Sequence, residues 1–102
     1  MLKITSKEFD NGRRVELKIE GKISGAWAKE LKKTCEGFLT EKVERLVLDF
    51  SGVTSIDREG QELLKKVDCP KIKIVGCDPF LCDCIRGLKL QKCEVEVVKD
   101  AD

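Results

Sequence analysis

The sequence predicts an α/β domain. It should hold a mixed sheet of about five strands in the order β-β-α-β-α-β-α-β, with an antiparallel opening hairpin, then parallel strands in sequential order, and helices on one face. Three observations predict it. Residues 13–20 alternate strictly, with Val15, Leu17 and Ile19 pointing one way and Arg14, Glu16, Lys18 and Glu20 the other, so one sheet face is covered and one meets water. Asp10-Asn11-Gly12 separates that run from an earlier one, and Asn-Gly readily adopts the positive φ angles of a hairpin turn. Residues 45–64, RLVLDFSGVTSIDREGQELL, read as a buried strand, a tight polar loop and a capped helix.

The elements follow in order. The first strand covers 2–9, with Leu2, Ile4 and, at its end, Phe9 as the inward candidates, and the alternating strand follows the turn. Residues 21–25 are expected to form a loop in which Ser24 caps a helix over 26–39. Its stripe is Trp27 or Ala28, Leu31, Cys35, Phe38 and Leu39, and Trp27 is expected to be buried or half-buried as part of that stripe. A Trp exposed there would instead be an interface anchor.

The apolar run Leu46-Val47-Leu48 suits a central strand that stops at the turn formers Ser51-Gly52, leaving 52–57 as a loop. Asp57 then caps a helix over 57–67. Glu59 sits in its first turn, where the helix dipole favours an anion, and Leu63, Leu64 and Val67 form the apolar face. Gly60, in register with Leu64 and Val67, should let that helix lie close on the sheet. Residues 71–75 are a strand, preceded by Pro70 and closed by Gly76. Asp78-Pro79 opens a third helix with the stripe Leu81, Cys84, Ile85 and Leu88. The last strand is 93–98, with Cys93, Val95 and Val97 inward, and 99–102 reads as a frayed tail. Right-handed crossovers between side-by-side parallel strands put all three helices on one face.

The bulk properties exclude several function classes. The 102 residues make one domain, 1–102. Lys+Arg 20 against Asp+Glu 19 gives a net charge of +1, interspersed, without the basic block of a nucleic-acid footprint. No apolar h-region opens the chain and no run approaches the roughly 20 apolar residues of a membrane span, so a cytoplasmic protein without direct membrane insertion is expected.

The residues that bear on function lie in LVLDFSGVTSIDREG. This stretch resembles the signature of the STAS domain, the fold of bacterial anti-sigma factor antagonists and of the cytoplasmic ends of sulfate transporters. The matching residues are Asp49, Gly52, Val53, Ile56, Asp57 and Gly60, in a likeness that covers roughly the whole chain. The resemblance implies a non-catalytic module of signal transduction and transcription regulation that works by protein–protein interaction. Its partner would be a kinase-type anti-sigma factor, which phosphorylates a Ser or Thr just before the glycine, and no cofactor is implied. The working surface would be Ser24, Thr54, Ser55, Asp57, Arg58, Glu59, Gly60 and Glu62. An alternative with the same face is an accessory subunit of an ABC-type membrane-transport complex.

The sequence departs from that pattern at the phosphoacceptor position, which is Glu59. A carboxylate carries one negative charge where a phosphoserine carries about −1.5 to −2. Either the switch is lost or held in a state resembling the phosphorylated one, or Glu59 is only a good first-turn residue. Thr54 and Ser55 are the remaining loop hydroxyls, acceptors of phosphate or ordinary surface groups. Arg58 reads as a partner for an acidic group or as a solvated charge.

A cysteine-based metal or redox role ranks lower. Cys69, Cys77, Cys82 and Cys84 cluster in sequence, but C-x-C on a helix points its two thiols apart, and the chain has no histidine. Cys35, Cys84 and Cys93 fall on apolar stripes, while Cys82 is expected on the exposed side of its helix. The absence of an export signal argues against disulfides. No nucleophile stands beside a base and no phosphate-cradling loop occurs, so no catalysis is expected.

Overall fold

A computed structural model describes residues 2–67, 69–88, 90 and 92–97, with the backbone alone for 80, 82, 86 and 97. The readings for Cys82, for the side chain of Val97, for Val98 and for the tail 99–102 lie outside the described residues. The elements are β1 (Leu2–Phe9), β2 (Arg14–Ile23), α1 (Gly25–Phe38), β3 (Arg45–Ile56), α2 (Arg58–Lys66), β4 (Ile72–Cys77), α3 (Pro79–Gly87) and β5 (Glu94–Val97).

The strands lie in chain order, β1-β2-β3-β4-β5, with β1 antiparallel to β2 and every later pair parallel. Between β1 and β2, Asp10, Asn11 and Gly12 all take left-handed φ values, +54, +59 and +87°. Asn and Asp tolerate that region because their short polar side chains bond locally, and Gly has no Cβ to clash.

One core joins sheet and helices. Val15, Leu17 and Ile19 of β2 and Leu46, Leu48 and Phe50 of β3 pack with Ala28, Leu31 and Cys35 of α1, Leu64 of α2, and Leu81 and Ile85 of α3. The three helices therefore share one face. On the other face Thr5 stands opposite Lys18, and Lys18 opposite Asp49, across three strands. Ion pairs such as Lys73–Glu96, 3.4 Å, continue that polar surface toward β5. Leu46, Val47 and Leu48 are all buried, as a central strand requires.

Several expectations are corrected: Phe9 is 42% exposed rather than inward, and 21–23 belong to β2 rather than to a loop. Residues 52–56 are not a loop: β3 runs on to Ile56 and β2 to Ile23, and the two stay paired. β3 carries one residue more than β2 at two places: Phe50 and Ser51 fall between the pairs Lys18–Asp49 and Glu20–Gly52, where β2 has only Ile19, and Thr54 falls between the pairs Gly21–Val53 and Lys22–Ser55, where β2 has none. Each extra residue is a bulge that re-aims the strand. Phe50, Val53 and Ile56 can then all turn inward at a spacing of three, which an unbulged strand of period two forbids. Gly52 sits at the first bulge because a Cβ there would lie 2.8 Å from Glu20 Cγ and 3.2 Å from the Ile19 carbonyl oxygen.

Trp27 is not buried; it is 43% exposed. The buried stripe of α1 is Ala28, Leu31 and Cys35, and Trp27 lies one residue round the helix. It overlooks Leu2, Ile4 and Leu17 in a shallow groove along the β1 edge, where no further element among the described residues covers it.

Candidate functional site

The site is the entry to α2, and three contacts set its position. The Asp57 N–H donates to the Ile23 carbonyl oxygen at 3.0 Å, tying the helix cap to the end of β2. Asp57 Oδ1 accepts from the Gly60 N–H at 2.8 Å, satisfying one of the donors that a helix N-terminus leaves over. Gly60 itself is buried. A Cβ there would lie 2.8 Å from the Ile23 carbonyl oxygen, 2.8 Å from Ile56 Cγ1 and 2.9 Å from Ile23 Cγ2. Gly60 therefore seats α2 directly on the ends of β2 and β3, and its own role is under the helix rather than on its surface.

With the helix so placed, Asp57, Arg58, Glu59 and Glu62 are exposed, as is Thr54, while Ser55 and Ser24 are half-buried. Glu59 and Arg58 enter no ion pair among the described residues, and Glu62 makes a loose one, 3.8 Å, with Lys65. Ser24 occupies the cap position of α1, and its carbonyl oxygen accepts from the Trp27 N–H at 3.0 Å, but its hydroxyl makes no capping bond. Gly25, left-handed at φ +51°, opens that helix instead. The two helix entries lie side by side, and Lys29 of α1 borders an open groove with Glu59, Glu62, Leu63 and Lys66 of α2. Lys29 and Lys66 were not legible as site residues, because only the parallel packing of α1 and α2 brings them there.

The groups on this face are charges held toward solvent on a rigid helix end. Among the described residues no cluster of Cys, Asp and Glu could hold a metal ion. Cys35 is enclosed between α1 and α2, and burial, aided by the charge of Glu36, pushes its thiol from 9.0 up to about 12. Such a thiol stays protonated and unreactive at neutral pH. Cys69, Cys84 and Cys93 pack half-buried against the core and Cys77 is fully buried, as small hydrophobes do.

No curated protein sequence matches the chain. Solved structures resemble it at low identity. An anti-sigma factor antagonist from Mycobacterium paratuberculosis aligns with TM-score 0.75 at 17% identity, covering 92% of this chain and 86% of the other. The Moorella thermoacetica protein RsbS, solved with glutamate in place of a serine, aligns with TM-score 0.72 at 14% identity over 95% and 88%. The anti-sigma factor antagonist SpoIIAA in its unphosphorylated form aligns with TM-score 0.66 at 8% identity over 97% and 90%. The model of the STAS domain matches residues 5–93. On that match, and on a five-stranded sheet of the SpoIIAA-like order, this chain belongs to the STAS domain family.

Proposed function

We propose that the chain is a non-catalytic regulatory module of the cytoplasm that docks on a partner protein through the entry of α2, with Glu59 as a permanent negative charge at the contact. The partner is a kinase-type anti-sigma factor, in keeping with the anti-sigma factor antagonists that share the fold. The observation that carries this reading is the placement of Glu59. Its carboxylate is exposed, free of ion pairs among the described residues, and borne on a first turn whose position is set by the Asp57 cap and the close seat of Gly60. A helix N-terminus favours an anion there, and a surface charge held on a rigid element discriminates between partners at little conformational cost.

The resemblance expects a hydroxyl at position 59, where a phosphate would be added and removed. With glutamate the charge is constant, so binding is independent of phosphorylation at this position. RsbS solved with glutamate replacing a serine carries the same kind of exchange. Capture of the partner from the native host identifies it, and affinities of the wild type, Glu59→Ser and Glu59→Ala then test the charge. The proposal expects the two variants to share an affinity that differs from the wild type by several-fold. Three equal affinities would remove Glu59 from the contact. Capture of a transporter ATPase in place of a serine-kinase-like ATPase would replace the anti-sigma partner.

A further inference from the structure

β1 is an edge strand whose two faces differ in kind. It pairs with β2 along Leu2–Phe9 and has no second neighbour among the described residues, so half of its backbone N–H and C=O groups point to an open edge. On the helix side Leu2 and Ile4 floor the shallow groove, and α1 walls it with Trp27, Glu30, Thr34 and Phe38, the i, i+3, i+7 and i+11 of one stripe. On the other side Lys3, Thr5 and Lys7 stand exposed in one row.

The charges decide what such an edge accepts. Lys3 and Lys7 lie outermost, next to whatever joins the sheet. Behind them β2 sets Arg14 and Lys18 against Glu16 and Glu20, with Glu16 held by Arg14 at 3.2 Å. Asp49, one strand further in, stands opposite Lys18 and accepts from the Ser51 N–H at 2.9 Å. On the helix side the charges are anions, Glu30 on the groove wall and Glu8 at the end of β1, both exposed. A strand laid along β1 therefore fits when apolar side chains turned into the groove alternate with acidic ones turned to Lys3 and Lys7. β1 of a second copy does not fit, because the antiparallel pairing would bring both lysine rows together on one face. β5 has the right alternation in Glu94-Val95-Glu96, but Glu94 is held by Arg45 at 3.3 Å and Glu96 by Lys73 at 3.4 Å in its own sheet.

From this complementarity we infer that the β1 edge takes an extended segment of another protein in which acidic and apolar residues alternate. The segment adds a strand to the sheet beside β1, its apolar side chains lie against Trp27 and its carboxylates meet Lys3 and Lys7. Main-chain hydrogen bonds along the edge supply affinity, and the two rows of side chains supply selection. Trp27 serves as the apolar anchor, a large rigid side chain already held by its helix. The groove shares no lining residue with the one beside α2, so this surface is additional to the proposed docking face and does not depend on it.

The test titrates the whole chain with short end-blocked peptides and reads the emission of Trp27, the one tryptophan in the sequence. The probe alternates Glu and Val. Its controls are a peptide alternating Lys and Val, and the Glu–Val peptide with its backbone nitrogens methylated so that it cannot donate to a strand. The Glu–Val peptide should shift the emission to the blue and saturate, with an affinity that falls as salt rises. Both controls should bind at least about threefold more weakly, and Lys3→Glu and Lys7→Glu should each weaken the Glu–Val peptide by a similar factor. The double variant should prefer the Lys–Val peptide. Circular dichroism establishes that each variant is folded, and Lys3→Gln and Lys7→Gln serve if a reversal unfolds. A Glu–Val peptide that does not bind at millimolar concentration overturns the inference. So does binding that leaves the Trp27 emission unmoved, a control that binds equally well, or indifference to both lysines. A chain that self-associates in sedimentation through this edge, shielding Trp27 before any peptide is added, also overturns it and makes a second copy the occupant. None of these results touches docking at α2, which the Glu59 variants test by themselves.

Discussion

Replacing Gly60 with alanine isolates the contact on which the position of the site depends. The added methyl would lie 2.8 Å from the Ile23 carbonyl oxygen, 2.8 Å from Ile56 Cγ1 and 2.9 Å from Ile23 Cγ2. Ordinary van der Waals contact begins near 3.4 Å. α2 must therefore lift by roughly half an ångström or more, because a carbonyl within β2 and a buried β-branched side chain cannot rotate out of the way. Overpacking of this kind costs about 1–3 kcal/mol. Alanine offsets part of that through its helix propensity, worth at most about 1 kcal/mol and less in a first turn. The net loss should be about 1–2 kcal/mol, or a fall in Tm of roughly 5–15 °C for a domain of this size. Gly37→Ala is the internal control. Gly37 is exposed in α1, and a Cβ there would meet nothing within 4 Å, so the same exchange should leave stability unchanged or raise it by a few tenths of a kcal/mol. Urea unfolding followed by circular dichroism reads both variants. A Gly60→Ala variant as stable as Gly37→Ala would refute the claim that close backbone approach seats α2.

Two further outcomes follow from the same geometry. Asp57→Ala deletes the acceptor for the Gly60 N–H and should cost about 0.5–2 kcal/mol, with Asp57→Asn or Asp57→Ser recovering most of it in the same urea assay. Cys35, whose thiol is raised from 9.0 to about 12 by burial and then by Glu36, holds its proton more tightly folded than unfolded. Its contribution to stability is complete below pH about 9 and is lost as pH rises toward 12. In a variant with the other cysteines replaced by serine or alanine, urea midpoints should fall through that window, and alkylation of Cys35 near pH 8 should proceed at the rate of unfolding. Fast alkylation of the folded chain would contradict the enclosure.

Sequence by itself determined the elements whose signals are local. Alternation across Val15, Leu17 and Ile19 marked a half-covered sheet, and those residues are 1%, 0% and 0% exposed. Asn11-Gly12 marked the left-handed turn, Asp57 the cap and Gly60 the close seat of α2, because each depends on chemistry within a few residues. With the strands side by side in chain order, as they are, the shared face of the helices followed from the handedness of parallel crossovers.

Tertiary structure alone decided what depends on a neighbour. The stretch 52–57 looked like a loop, yet β2 pairs with 52–56 through two bulges that no pattern within β3 announces. Trp27 fell within the range of a helical stripe, but the angle at which α1 meets the sheet buried Ala28 and left the indole at the uncovered β1 edge. Lys29 joined Glu59, Glu62 and Lys66 at one groove because α1 and α2 lie side by side on that sheet. Local chemistry writes where a chain turns, pleats or caps, whereas the company a side chain keeps is set by packing between segments far apart in the sequence.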